Sequence, residues 1–110
     1  MQKDEASKIL SICPDSEAFL FYRDIGSPTG ESAHSLEEFI GLIKTVDTSS
    51  LEFHSQRGDF ANWVKMLGDE VLVKQIGNIQ KSEFKGGVLR KRLLQVLHLR
   101  YGFLKKIADA

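Results

Sequence analysis

Apolar and polar positions along this chain of 110 residues fall into short periodic blocks separated by turn formers. Residues 4–13, Asp-Glu-Ala-Ser-Lys-Ile-Leu-Ser-Ile-Cys, are expected to form a short helix, ended by Pro14. Residues 17–24, Glu-Ala-Phe-Leu-Phe-Tyr-Arg-Asp, form a compact aromatic block that predicts a strand, followed by the turn-rich Gly26-Ser27-Pro28-Thr29-Gly30. Ser35-Leu36-Glu37-Glu38 has the spacing of a capping box and opens a helix with Leu36, Phe39, Ile40 and Ile43 on one face. At residues 51–54, Leu51 and Phe53 alternate with Glu52 and His54, which predicts a second strand. Asp59 is placed to N-cap a helix through Leu67, with Gly68 as its left-handed C-cap. Asp69 caps the next helix, where Leu72, Ile76 and Ile79 repeat, and Val88 to about Ala108 reads as one long helix.

The order α-β-α-β-α-α-α predicts an α/β fold: a two-stranded βαβ unit with parallel strands and a right-handed crossover, followed by a helix-rich C-terminal region. The class becomes α+β if the two strands run antiparallel. The length suits a single domain over residues 1–110. Two strands alone leave two unpaired edges, so either helices cover them or a second copy extends the sheet, and a homodimer is expected.

Composition narrows the class. An apolar fraction of 42% with 27% charged residues is that of a globular domain, without an apolar run long enough for a membrane span. The acidic start of the chain lacks the apolar core of a secretory signal, and the lone Cys13 makes no internal disulfide, which together predict a cytoplasmic location. Net charge is zero, but residues 1–59 hold 5 Lys/Arg against 11 Asp/Glu and residues 81–110 hold 8 against 2. Halves of opposite sign attract within one fold or between two copies. On the terminal helix Arg100 falls on the same side as Leu89, Leu93, Val96, Leu97, Leu104 and Ile107. Its stem either snorkels to the edge of the core or its guanidinium pairs with a carboxylate, for which the acidic half offers candidates.

The candidate chemistry is sparse. His34, His54 and His98 lack metal-ligand spacing, so no metal is expected. The Gly26–Gly30 loop has neither the Gly-Lys-Ser/Thr ending of a P-loop nor dinucleotide-loop spacing, so no cofactor is expected. No nucleophile elbow is present, and Cys13 before Pro14 reads as a small packed residue. Arg57-Gly58-Asp59 spells a cell-adhesion tripeptide, but Gly58 and Asp59 are already required by the turn into the following helix. The basic residues of the terminal helix are spread around it instead of forming one stripe, which argues against nucleic acid as a partner. If the strands are parallel, their C-terminal ends open on one rim carrying Arg23, Asp24, Ser27, Thr29, His54, Arg57 and Asp59, the one multi-residue candidate for ligand binding. Trp63 and Arg100 read as structural.

Residues 29–39, 50–54 and 57–63, with Leu67-Gly68-Asp69 and the basic run 89–93, resemble an uncharacterised, mostly archaeal family of small domains of unknown function. Related segments of that family are sometimes attached to carbohydrate-active enzymes. The resemblance implies a compact domain with a partner-binding or regulatory role and assigns no activity or catalytic residue. The sequence thus predicts a cytoplasmic, self-associating binding or regulatory module that is more a binder of protein partners than an enzyme. The alternative is a module that binds an anionic or sugar-derived compound at the His54/Arg57 rim.

Overall fold

A computed structural model describes residues 1–110. Six helices and a two-stranded antiparallel hairpin make an α+β arrangement, the hairpin packed on α2 and α3. In chain order they are α1 (Lys3–Leu10), a single 3₁₀ turn at Asp15–Glu17, β1 (Phe19–Asp24), β2 (Ser27–Ala33), α2 (Leu36–Thr45), α3 (Thr48–Arg57), α4 (Asp59–Leu67), α5 (Glu70–Lys81) and α6 (Gly86–Ala108). The long α6 packs against α1, α2, α3 and α5, while α3 lies along β1. No helix is long and apolar enough to cross a membrane.

Three of the expected caps and two of the expected apolar faces are present. Ser35 Oγ accepts from the Glu38 N–H at 3.1 Å, and Glu38 Oε1 reaches back to the His34 N–H at 2.8 Å, one residue earlier than a strict capping box. Asp69 Oδ1 accepts from the Leu72 N–H at 3.1 Å. Gly68 closes α4 at φ 99°, where a side chain would be strained. Phe39, Ile40, Ile43, Leu72, Ile76 and Ile79 are buried as their spacing requires.

The βαβ unit is not formed. The second strand is Ser27–Ala33, paired antiparallel with β1, and residues 51–54 lie inside helix α3. The register Tyr22↔Pro28 and Asp24↔Ser27 leaves Ile25 and Gly26 as the connection, with Gly26 at φ 73°. Pro28 and Gly30 make β2 look like a loop in sequence. Pro28 is tolerated because it faces Tyr22, whose N–H and C=O point away from β2, so no ladder bond is asked of a residue without an N–H.

Helix α3 explains that orientation. Its inward face carries Ser50, Leu51 and His54, spaced i, i+1 and i+4 and all buried. Ser50 Oγ donates to the Tyr22 carbonyl at 2.8 Å, and His54 Nε2 accepts the Tyr22 N–H at 2.9 Å. Two side chains one helical turn apart therefore supply what a neighbouring strand would have given. The edge of β1 is closed at Tyr22 by the chain itself, and β2's outer edge carries Pro28, the bent Gly30 at φ 86° and Glu31.

Charges between helices are used locally. Glu52 Oε2 accepts the Gly86 N–H at 2.9 Å, an anion on the positive end of α6. Arg90 donates to the carbonyls of Ile43 and Val46 at the C-terminal end of α2. Arg100 does pair with a carboxylate, but with Asp69 in the neutral middle segment and not with an acid of residues 1–59. The Arg100 Nε to Asp69 Oδ2 distance is 2.7 Å, with the side chains 11% and 0% exposed. None of the ion pairs joins an acid of residues 1–59 to a base of residues 81–110.

Candidate functional site

Beside the outer edge of β1 lies a cleft of about 310 Å³, lined by Phe19, Leu20, Tyr22, Ile25, Gly26, Phe53, His54, Arg57 and Asp59. The hairpin supplies one wall and α3 the other. Gly58 stands at φ 76°, so the chain reverses between α3 and α4 in a single residue and brings Asp59 back over the last turn of α3. Gln80 packs against this turn: a Cβ at Gly58 would meet its Nε2 at 3.2 Å.

Asp59 therefore does not cap α4. That helix starts at Asp59 itself, with Gly58 in the N-cap position and no side-chain cap bond. The carboxylate is instead turned towards two cationic or donor groups: Oδ2 accepts from His54 Nδ1 at 2.8 Å and from Arg57 Nε at 3.1 Å. The Arg57 guanidinium lies over the Phe53 ring, 5.0 Å from its centroid.

The bonds fix the state of His54. A backbone N–H can only donate, so Nε2 accepts from Tyr22 and the ring proton sits on Nδ1, where it is donated to Asp59. Burial pushes the His54 pKa below 6.5, and the Asp59 carboxylate opposes this without overcoming it. Protonation would set an Nε2–H against the Tyr22 N–H. Phe19, Phe21, Phe53 and Phe60 surround the ring, with centroids 4.8 to 5.9 Å away. Neutral His54 is thus a three-way tie between β1, α3 and the start of α4, with no lone pair left to face the cleft.

The other rim candidates are not gathered there. Arg23 pairs with Asp47 at 2.7 Å on the surface, and Asp24 Oδ1 accepts the Ile25 N–H at 2.7 Å within the turn. Ser27 begins β2 opposite Asp24. Thr29 Oγ1 donates to the Phe21 carbonyl at 2.9 Å and accepts from the Glu31 N–H. The parallel strand ends that would have assembled them do not exist, and three of the seven, His54, Arg57 and Asp59, are brought together by α3 and Gly58 instead. Trp63 packs in the aromatic core and donates Nε1–H to the Glu17 carbonyl at 2.9 Å. The apolar lining was not picked out in the sequence; it is marked in the structure by Leu20 on β1 and Ile25 in the turn, 53% and 79% exposed.

The remaining histidine cluster is on the surface. His34 Nε2 lies 2.8 Å from Asp15 Oδ1 and Nδ1 lies 3.4 Å from Glu38 Oε1. The hydrogen bond to Asp15, helped by Glu38, holds the His34 pKa above 6.5. Cys13 is half-buried, and burial pushes its thiol pKa up, which keeps it protonated and a poor nucleophile.

The two histidines shift in opposite directions, which gives a direct test. In a proton NMR titration of the ring C–H signals, His54 is expected to titrate below 6.5 and His34 above it. The linkage has opposite signs. The contribution of His54 is present above 6.5 and fades as pH falls through its folded pKa. That of His34 is present below 6.5 and fades as pH rises through its folded pKa. Equal midpoints for the two rings would contradict the bonding described.

The fold and cleft define a small α+β domain in which a hairpin is seated on helices beside an apolar-floored pocket that holds the Arg57–Asp59 ion pair. The chain belongs to a family of unknown function, DUF5752, whose model matches residues 2–98. No curated protein and no solved structure matches it. The family match carries no activity, organism or link to carbohydrate-active enzymes.

Proposed function

We propose that the protein is a non-enzymatic binding and regulatory module of the cytoplasm, with the cleft between the hairpin and α3–α4 as its binding surface. One observation carries this reading: both nitrogens of His54, the only histidine at the cleft, are already engaged by Tyr22 and Asp59. A general base needs a free lone pair within reach of the proton it takes, and this ring offers none. What the cleft does offer is apolar surface on Phe19, Leu20, Ile25 and Phe53, enough to hold an apolar group of a ligand or partner. The test is a screen of small neutral apolar fragments by amide NMR. Hits are expected to shift Leu20, Ile25, Phe53 and Arg57 together, and hits that spare these residues would overturn the reading.

A second reading, self-association, is favoured by the charge distribution. The −6 and +6 segments form no ion pair with each other within the chain, so each remains free to meet its opposite on a second copy. The open-edge argument for a dimer no longer supports it at β1, because Ser50 and His54 close that edge at Tyr22. Light scattering at high micromolar concentration is expected to give a dimer mass in low salt that falls towards the monomer in 0.5 M salt, roughly where the Debye length drops to a few ångström. A monomer mass in low salt would refute it.

A further inference from the structure

We propose that the cleft takes a small amphipathic carboxylate, its anion on the outer edge of Arg57 and its apolar group on Phe19, Leu20, Ile25 and Phe53. The inference rests on the cleft being the binding surface and adds the chemical class of its occupant.

Arg57 is the carrying residue. A guanidinium has five N–H donors, and only Nε–H is used here, on Asp59. Neither of its amino groups has a partner in the protein, and the side chain is half exposed at the cleft. The group is nonetheless fixed in place, clamped between the Phe53 face and Asp59 Oδ2. A planar fork held in one orientation with free donors matches a carboxylate edge-on, and little side-chain freedom is lost on binding.

The neighbouring charges leave that role to Arg57. Asp59 directs Oδ2 at two donors at once, so its charge is shared between His54 Nδ1–H and Arg57 Nε–H on the inner side. His54 is neutral and turned inward, so it neither attracts the anion nor competes for it. The polar end of the ligand is therefore set by one residue. Size sets the other end: about 310 Å³ lies at the low limit of ligand cavities and suits a single ring or short branched chain, not a nucleotide or a lipid tail.

The experiment compares 3-phenylpropionate with its neutral counterpart 3-phenylpropanamide by NMR titration of the labelled protein, following the Arg57 Nε–H and the Leu20 and Ile25 amides. The acid is expected to bind at least roughly tenfold more tightly than the amide, the factor that a charge-assisted contact supplies. Arg57→Gln is expected to abolish that difference while the amide still binds, and Arg57→Lys to retain only part of it. Because Arg57 is half exposed, folding of these variants is checked by unchanged dispersion of the Trp63 indole signal. Equal affinity for acid and amide would overturn the carboxylate assignment and leave the apolar cleft standing. Failure of both compounds to shift the cleft residues would overturn the cleft reading as well. Shifts confined to residues beside the lysines and arginines of α6 would count against the site and in favour of simple charge attraction.

Discussion

Arg100→Ala is expected to lower the unfolding free energy by roughly 3–5 kcal/mol, because it strands a buried carboxylate. Asp69 is wholly buried and serves two partners with its two oxygens: Oδ2 takes Arg100 Nε–H at 2.7 Å and Oδ1 takes the Leu72 N–H that opens α5. Without the guanidinium the carboxylate either stays charged in an apolar setting or protonates, and both are costly. The arginine also spreads over the Phe103 ring, 4.9 Å from its centroid, so part of the alanine effect is lost packing. Arg100→Met keeps a long apolar stem and separates the two contributions. Asp69→Asn retains a side-chain acceptor for the Leu72 N–H, so the double variant Arg100→Met/Asp69→Asn should recover much of the loss, a coupling readable in a double-mutant cycle. Urea denaturation at unchanged m-value measures each step. A loss below about 0.5 kcal/mol for the alanine variant, the range of surface substitutions, would mean that the side chain merely reaches to solvent.

The position of Arg100 on an apolar face was legible in the sequence, but its partner was not. A tally of charge by segment points to the acidic first half, whereas Asp69 sits in the electrically neutral stretch between the two halves and was visible only as a helix cap. One aspartate performs both tasks because the start of α5 meets the second half of α6.

The helices with strong apolar faces and turn residues at their ends, α2, α4, α5 and α6, follow directly from periodicity. The two elements misread, β2 and α3, fail for one shared reason. Helix α3 has a mixed inward face of Ser50, Leu51 and His54, so its buried stripe does not look apolar. Over residues 51–54 the alternation of a strand and the spacing of a helix are too short to separate. Strand β2 is polar, with four of its seven residues exposed and only Ala33 buried, so nothing in its pattern marks a strand. The polar face of α3 exists because it saturates β1, and β1 needs that because β2 pairs on one side only. The site inherits this history: His54, Arg57 and Asp59 are close in sequence and were legible as a group, but their roles depend on α3 being a helix. As a strand, residues 51–54 would have pointed His54 away from Leu51 and Phe53, onto the opposite face. As a helix they point it at Tyr22.

That placement gives the second large effect. His54→Ala is expected to cost about 3 kcal/mol or more, combining a cavity among Phe19, Phe21, Phe53 and Phe60 with two broken hydrogen bonds. The Tyr22 N–H would lose its acceptor, and Asp59 would lose the donor that shares its charge. Two conservative variants divide these effects. Glutamine extends far enough for Oε1 to replace Nε2 as acceptor from Tyr22, whereas asparagine places Nδ2 near Nδ1 and can still donate to Asp59. Both are therefore expected to fall between wild type and alanine. Ser50→Ala, which removes only the donor to the Tyr22 carbonyl, should cost about 1 kcal/mol and couple to His54→Ala through their shared residue. Hydrogen exchange reports the mechanism itself. The Tyr22 amide should be strongly protected in wild type, nearly as protected in His54→Gln, and much faster in His54→Asn and His54→Ala. A simple packing role for the ring would destabilise all the variants without singling out that amide. If Tyr22 exchanges at the same rate relative to global stability in the glutamine and asparagine proteins, then α3 does not stand in for a third strand.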